Sequence, residues 1–269
     1  MMNLKIIVVA FLALIVQSCT VNKAKIDNNL KKYFDLHKVE GCFTMLKNTD
    51  GEITVYNMAL DTQRFAPAGT FTLVNALVGL HTGKITTENM VLNWDGVRRP
   101  VKEWNRNMSM MEALKINNVS YFQQISRRIG MDTMKAWVDS IAYGNKNMSG
   151  NLDSFWQDNT LKISPDEQLG LLKKIYFDQL PFRKSVMQIV REAIVKEDNT
   201  AYKLSFITGT VNEDQHQVGW VAGWIEENRH VYFFVTLVRN PDNSADMKGL
   251  IVDITRDILK EYGFFQGKM

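Results

Sequence analysis

Thr70-Phe71-Thr72-Leu73-Val74-Asn75-Ala76-Leu77-Val78-Gly79-Leu80-His81-Thr82 is the stretch from which the fold is read outward. Apolar residues at 71, 73, 74, 77, 78 and 80 recur at helical spacing, and Gly83 supplies the stop. Upstream, Gly41–Lys47 and Glu52–Met58 are β-rich runs separated by Asn48-Thr49-Asp50-Gly51, a hairpin signal because Asp-Gly supplies the positive φ of a tight turn. Residues 29–37 read as a short helix. Downstream, helical patterns run over about 108–115, 119–129, 131–140, 165–178 and 181–195. Ser164-Pro165-Asp166-Glu167 is a strong helix start, with a serine cap, proline at the first helical position and acidic residues in the first turn. Three strands follow at 204–211, 217–225 and 230–238, then a helix over about 245–262. Strands at both ends with helices between them make an α+β fold: one antiparallel sheet built from the two chain ends, with a helical subdomain packed on it.

Composition excludes little except nucleic acid. The 269 residues carry 32 basic and 29 acidic side chains, a net charge of +3, with no basic block to track phosphates. The 45% hydrophobic share is enough for a sizeable core. At the N-terminus, Lys5 precedes the eleven apolar residues Ile6–Val16, too few for a membrane span of about 20, and Gln17-Ser18-Cys19 follows. That is the layout of a secretory signal. Val16-Gln17-Ser18-Cys19 further resembles a bacterial lipoprotein box, although Gln17 departs from its usual small residue. The expectation is a signal peptide over 1–18, a lipid-modified Cys19, a tether over 19–28 and one domain over 29–269, held at the cell envelope by its lipid. The alternative is plain secretion, in which a Cys19–Cys42 bridge is conceivable. With Cys19 acylated, Cys42 reads as a small buried strand residue.

Read in order, several short motifs resemble the class D β-lactamases (the oxacillinase group) and related penicillin-binding, transpeptidase-like sensor domains. Gly41–Asn57 and Arg64-Phe65-Ala66-Pro67 resemble the first hairpin and the approach to the nucleophile. Trp94-Asp95-Gly96, Arg99 and Trp104-Asn105 resemble the loop after the first long helix, and Tyr143-Gly144-Asn145 the Tyr-Gly-Asn motif. Phe155-Trp156, Leu161–Gln168 and Leu180-Pro181-Phe182 resemble the lid loop and the helix after it. Thr208-Gly209-Thr210, Gly219-Trp220 and Gly223-Trp224 fit the strand at the edge of the site and its neighbour. The likeness spans about residues 40–262. It implies a β-lactamase/transpeptidase-like fold with a groove near Tyr143, Asn145, Trp156, Thr208, Gly209 and Thr210.

In that family a serine attacks the β-lactam carbonyl, and a carboxylated lysine one helical turn later is the general base. A second serine relays protons, while a strand lysine and a helix arginine bind the substrate carboxylate. A hydroxyl is a poor nucleophile until a base within hydrogen-bond reach takes its proton, and residues three apart on a helix meet that need. Here the nucleophile position is Gly69 and the base position Thr72. The relay serine becomes Asn117 in Asn117-Asn118-Val119, and the strand lysine becomes Ile207 in Ile207-Thr208-Gly209. The arginine position falls on Ile251, with Lys248 and Arg256 nearby as substitutes. Loss of the nucleophile alone removes roughly six orders of magnitude in rate. Each lost charged contact to a carboxylate costs about 1.5–3 kcal/mol.

The residues therefore imply a chain that keeps the fold without the family's reaction, needing no cofactor and no metal. Its expected role is binding or an accessory task at the envelope, with an envelope protein or a peptidoglycan-like ligand as partner. Two alternatives stand beside it. One is an acyl enzyme working through unfamiliar residues, such as Thr72 if a base stood beside it. The other is a sensor subunit of an envelope system. Thr70 is expected to point into the core, and Trp156, which in the family packs against the carboxylated lysine, reads as core or groove wall. His216 lies beside Glu213 and Asp214 in an expected turn and reads as a solvated loop residue.

Overall fold

A computed structural model describes residues 24–213, 215–241 and 246–267. The expected signal sequence and Cys19 lie outside the described residues. Seven strands form one sheet in the order β1-β3-β2-β9-β8-β7-β6. They are β1 (Ala24–Ile26), β2 (Glu40–Lys47), β3 (Ile53–Tyr56), β6 (Val195–Asp198), β7 (Tyr202–Glu213), β8 (His216–Glu227) and β9 (His230–Asn240). β4 (Val91–Leu92) and β5 (Met108–Ser109) make a separate small ribbon. All neighbours in the large sheet are antiparallel except β1, which lies parallel to β3. The two chain ends meet where β2 pairs with β9, from Glu40↔Arg239 to Lys47↔Tyr232.

Two expectations shift. Residues 24–26 belong to the sheet as β1, so the fold begins inside the stretch read as tether. β6 adds an outer edge beyond the five strands read from the sequence. Both strands are short, β1 exposed and β6 mostly half-buried, and neither carries an alternating apolar pattern.

Alternation along the long strands divides the core between the two faces of the sheet. Trp220, Ala222 and Trp224 of β8, with Phe233, Val235 and Leu237 of β9, face the helical subdomain. Val221 and Ile225, with Phe43 and Phe234, face α1 (Lys31–Leu36) and the C-terminal helix, numbered α9 (Met247–Glu261). Between them run α2 (Met58–Asp61), α3 (Thr72–His81), α4 (Met110–Lys115), α5 (Val119–Ile129), α6 (Met131–Ser140), α7 (Pro165–Tyr176) and α8 (Lys184–Ala193). α7 starts as its sequence demands, with Ser164 and Glu167 in a reciprocal capping box and Pro165 in the first turn. Nine of the ten residues of α3 are buried, which makes it the central post of the helical layer. Cys42 is a fully buried free thiol on β2, pushed to a high pKa by burial.

Candidate functional site

The entry to α3 is a single tight turn, Ala68–Phe71, that positions everything in the site. Ala68 takes a left-handed φ of 50°, a strained choice for alanine, and its N–H is anchored on the Trp156 carbonyl at 2.9 Å. Gly69 follows with no room beside it. A Cβ there would overlap Asn117 Nδ2 and come within 2.8 Å of the Thr208 carbonyl oxygen.

Asn117 fills the space that a side chain at position 69 would use. It holds the turn between α4 and α5 at φ 55°, a conformation asparagine tolerates better than most residues. Its amide donates to the Thr208 carbonyl of β7, and its Oδ1 accepts from Thr72 Oγ1 at 2.9 Å. The same Thr72 hydroxyl lies 2.8 Å from the Gly69 carbonyl. The positions read as nucleophile, base and relay are thus brought together and bonded to one another. They tie α3, the α4–α5 turn and β7 into one neutral network. None of these groups accepts a proton at neutral pH, so none can serve as a general base.

Beneath this floor lies an aromatic tier. Phe71 stacks on Trp156 with centroids 5.5 Å apart and meets Tyr143 and Phe155 edge-on at 5.2 and 5.1 Å. Thr70 turns into this core as expected, with 1% exposure and its hydroxyl on the Pro67 carbonyl at 2.7 Å. Burial pushes the Tyr143 hydroxyl to a higher pKa. Trp156 is fully buried, and its Nε1–H has no partner among the described residues. A stranded buried donor costs about 1–3 kcal/mol.

Above the floor opens a groove of about 400 Å³ between β7, the start of α5 and the loop before β5. Thr208, Gly209 and Thr210 line it, as do Gly69 and Asn117. Tyr143, Asn145 and Trp156 do not, contrary to the sequence reading. Tyr143 and Trp156 belong to the tier below. Asn145 spends its side chain on the backbone of its own loop, donating to the Thr160 carbonyl and accepting from the Lys162 amide, each at 3.0 Å. Ile207 is 1% exposed and packs into the helical-side core, while Ile251 is fully buried on the other face.

Of the two cations read from the sequence as candidate carboxylate partners, Arg256 faces away. It pairs with Glu197 and lies over the Phe265 ring at 4.8 Å. Lys248 lines the groove. Arg99 lines it too, held by Asp95 at 2.6 Å and by reciprocal Asn105 bonds at 2.8 and 2.9 Å. The Arg99 guanidinium keeps the Asp95 carboxyl well below the usual range. Trp94-Asp95-Gly96, Arg99 and Asn105 are therefore one self-bonded rim. Ser120 and Gln123 were missed as lining residues. Their spacing of three and six from Asn117 was the signal, since residues three apart share a helix face. His216 opens β8 opposite Glu213, whose carboxylate pairs with Lys162; it belongs to a strand and not to a turn.

The profile of the penicillin binding protein transpeptidase domain matches residues 20–260. The probable β-lactamase YbxI of Bacillus subtilis is 36% identical over 243 residues, 90% of this chain and 86% of that protein. β-Lactamase OXA-5 of Pseudomonas aeruginosa is 35% identical over 232 residues, covering 84% and 87%. The C-terminal domain of the Bacillus licheniformis BlaR penicillin-receptor superposes with a TM-score of 0.86 at 30% identity, over 92% of this chain and all of that domain. With the strand order, the α3 entry turn and the groove all in place, the chain belongs to the penicillin-binding transpeptidase family, among its class D β-lactamase-like members.

Proposed function

We propose that this protein is a non-catalytic member of its family, an envelope protein that uses the groove for binding and not for acyl transfer. The observation that carries the reading is the Asn117 amide seated against Gly69, where an attacking oxygen would have to project. An emptied site would admit a rescuing water or hydroxyl. A site closed by a hydrogen-bonded amide offers neither a nucleophile nor a base. With Ile207 and Ile251 buried, the groove also lacks the cations that hold a β-lactam carboxylate in active relatives.

The chain is further proposed to be exported and anchored through lipid on Cys19, which would hold the groove at the membrane surface. Incorporation of labelled fatty acid by the wild-type protein, and its loss in Cys19→Ala, tests that part. A sensor role is the second reading, favoured by the likeness to a domain whose name is that of a penicillin receptor. Receptors of that kind must still bind the antibiotic, so one experiment addresses both. Purified protein incubated with a fluorescent penicillin should run unlabelled on a denaturing gel. A labelled band would remove the non-catalytic reading and favour the receptor.

A further inference from the structure

A second cavity, of about 330 Å³, opens on the helical side of the sheet and shares no lining residue with the groove. Strand register builds its floor. Ser205 lies opposite Trp224 across β7 and β8, and Lys203 lies opposite Glu226 two pairs further on. The alternation that turns Trp224 toward the helices turns these residues the same way. The walls are the last turns of two helices. Tyr176 ends α7 and meets the Trp224 ring edge-on, with centroids 5.5 Å apart. Gln188, Arg191 and Glu192 line the cavity from α8, at the spacing of one helix face.

The lining holds two bases and two acids, and their partners differ in kind. Arg191 pairs with Asp178 at 2.5 Å and donates to the Ile175 carbonyl, while Lys203 pairs with Asp198 at 3.3 Å. Both cations are thus neutralised by acids that stand outside the lining. The two acids have neutral partners. Glu192 accepts from the Gln188 amide at 2.9 Å, and Glu226 faces the Tyr176 hydroxyl, which burial and then this carboxylate push up to about 12. Negative charge is left in surplus, and the C-terminal ends of α7 and α8 add to it. At the floor, Ser205 is fully buried and its hydroxyl has no partner among the described residues. Such a group costs stability until something in the cavity completes it.

We propose that this cavity binds a primary alkylammonium group, with the Glu226 carboxylate and the Ser205 hydroxyl as its acceptors and the Tyr176 and Trp224 rings as walls for its chain. Aromatic faces attract a cation, and carbon walls suit an alkyl stem better than a hydrated metal ion. Glu192, at the exposed mouth, adds attraction at longer range. The inference stands apart from the reading of the groove. The group reaches the cavity either on a free amine or on the lysine side chain of a peptide, and the chemistry is the same.

The test is calorimetric titration of the intact protein with n-butylamine at about pH 7.5, where the amine is protonated, at constant ionic strength. Butanol and butyrate, which keep the chain and change the charge, are titrated beside it. Saturable binding of the amine alone, with a Kd on the order of 1 mM for a ligand of about five heavy atoms, supports the site. Nα-acetyl-lysine methylamide separates the two sources: affinity equal to that of the amine assigns the cavity to a peptide lysine, and exclusion assigns it to a free amine. Glu226→Gln, nearly isosteric, should weaken amine binding at least about tenfold, the scale of a hydrogen bond to a charged group. Ser205→Ala should weaken it about fivefold and leave the fold intact, since the hydroxyl has no partner to lose. Amine binding no tighter than that of butanol overturns the site, as does affinity unchanged in Glu226→Gln.

Discussion

The floor of the groove and the aromatic tier beneath it share one helix turn, yet they have fared differently. In the tier, Tyr143, Phe155 and Trp156 all pack against Phe71, and Phe155 and Trp156 also meet each other. In the floor, Gly69, Thr72 and Asn117 are joined by a short hydrogen-bonded bar with no titratable side chain in it. The difference teaches where each property resides. Fold is spread over many apolar contacts of about 1.5–3 kcal/mol per large side chain, whereas catalysis rests on a few polar atoms in register. Those atoms can go without disturbing the scaffold. The tier also holds a buried donor, Trp156 Nε1–H, with no partner among the described residues.

The largest expected effect comes from rebuilding the floor. Gly69→Ser alone should not restore acylation, because its Cβ overlaps the Asn117 amide. Gly69→Ser with Thr72→Lys and Asn117→Ser removes that obstacle. It should raise labelling by a fluorescent penicillin at least about a hundredfold over wild type, a fraction of the roughly million-fold that a nucleophile contributes. Equal labelling of the single and triple variants would show that Asn117 does not close the site.

Next in size is a contrast in stability between the two regions. Phe71→Ala, in the tier, should cost about 3–5 kcal/mol in denaturant unfolding. Asn117→Ala, in the floor, should cost about 1–3 kcal/mol through the lost bonds to the Thr208 carbonyl and the Thr72 hydroxyl. A reversed order would mean that the floor, and not the aromatic tier, carries the local stability.

A third prediction concerns a carboxyl that the scaffold keeps under cover. Asp61 is 2% exposed with one oxygen unpartnered, and burial, then the charge of Asp166, push it up to about 7. Between about pH 4 and pH 7 the folded protein therefore holds a proton that the unfolded chain has released, so stability falls as pH rises through that window. The loss should reach at most about 4 kcal/mol, accumulating at roughly 1.4 kcal/mol for each pH unit crossed. Asp61→Asn should flatten the profile measured by urea unfolding; an unchanged slope would assign it to another group. The smallest effect is expected for Trp156→Phe, which removes the stranded donor and should change stability by less than about 1.5 kcal/mol, lost packing and relieved desolvation offsetting each other.

Most of the fold was legible because long strands and amphipathic helices write their periods into the chain. The Asp50-Gly51 turn, with Gly51 at φ 74°, and the Ser164 start of α7 sit where local chemistry puts them. β1 and β6 were not legible, since short edge strands are held by backbone pairing more than by buried side chains. In the site, motif order was enough to bring Gly69, Thr72, Asn117 and Thr208 together. That the Asn117 amide sits where a side chain at position 69 would project depends on its left-handed backbone, which no spacing encodes.

The central claim is tested most directly by the intact mass of the wild-type protein after prolonged incubation with excess benzylpenicillin. An unchanged mass is predicted, because the amide of Asn117 stands where the acylated oxygen would be. An increase equal to one antibiotic molecule would contradict the account and require another activated hydroxyl within reach of the groove.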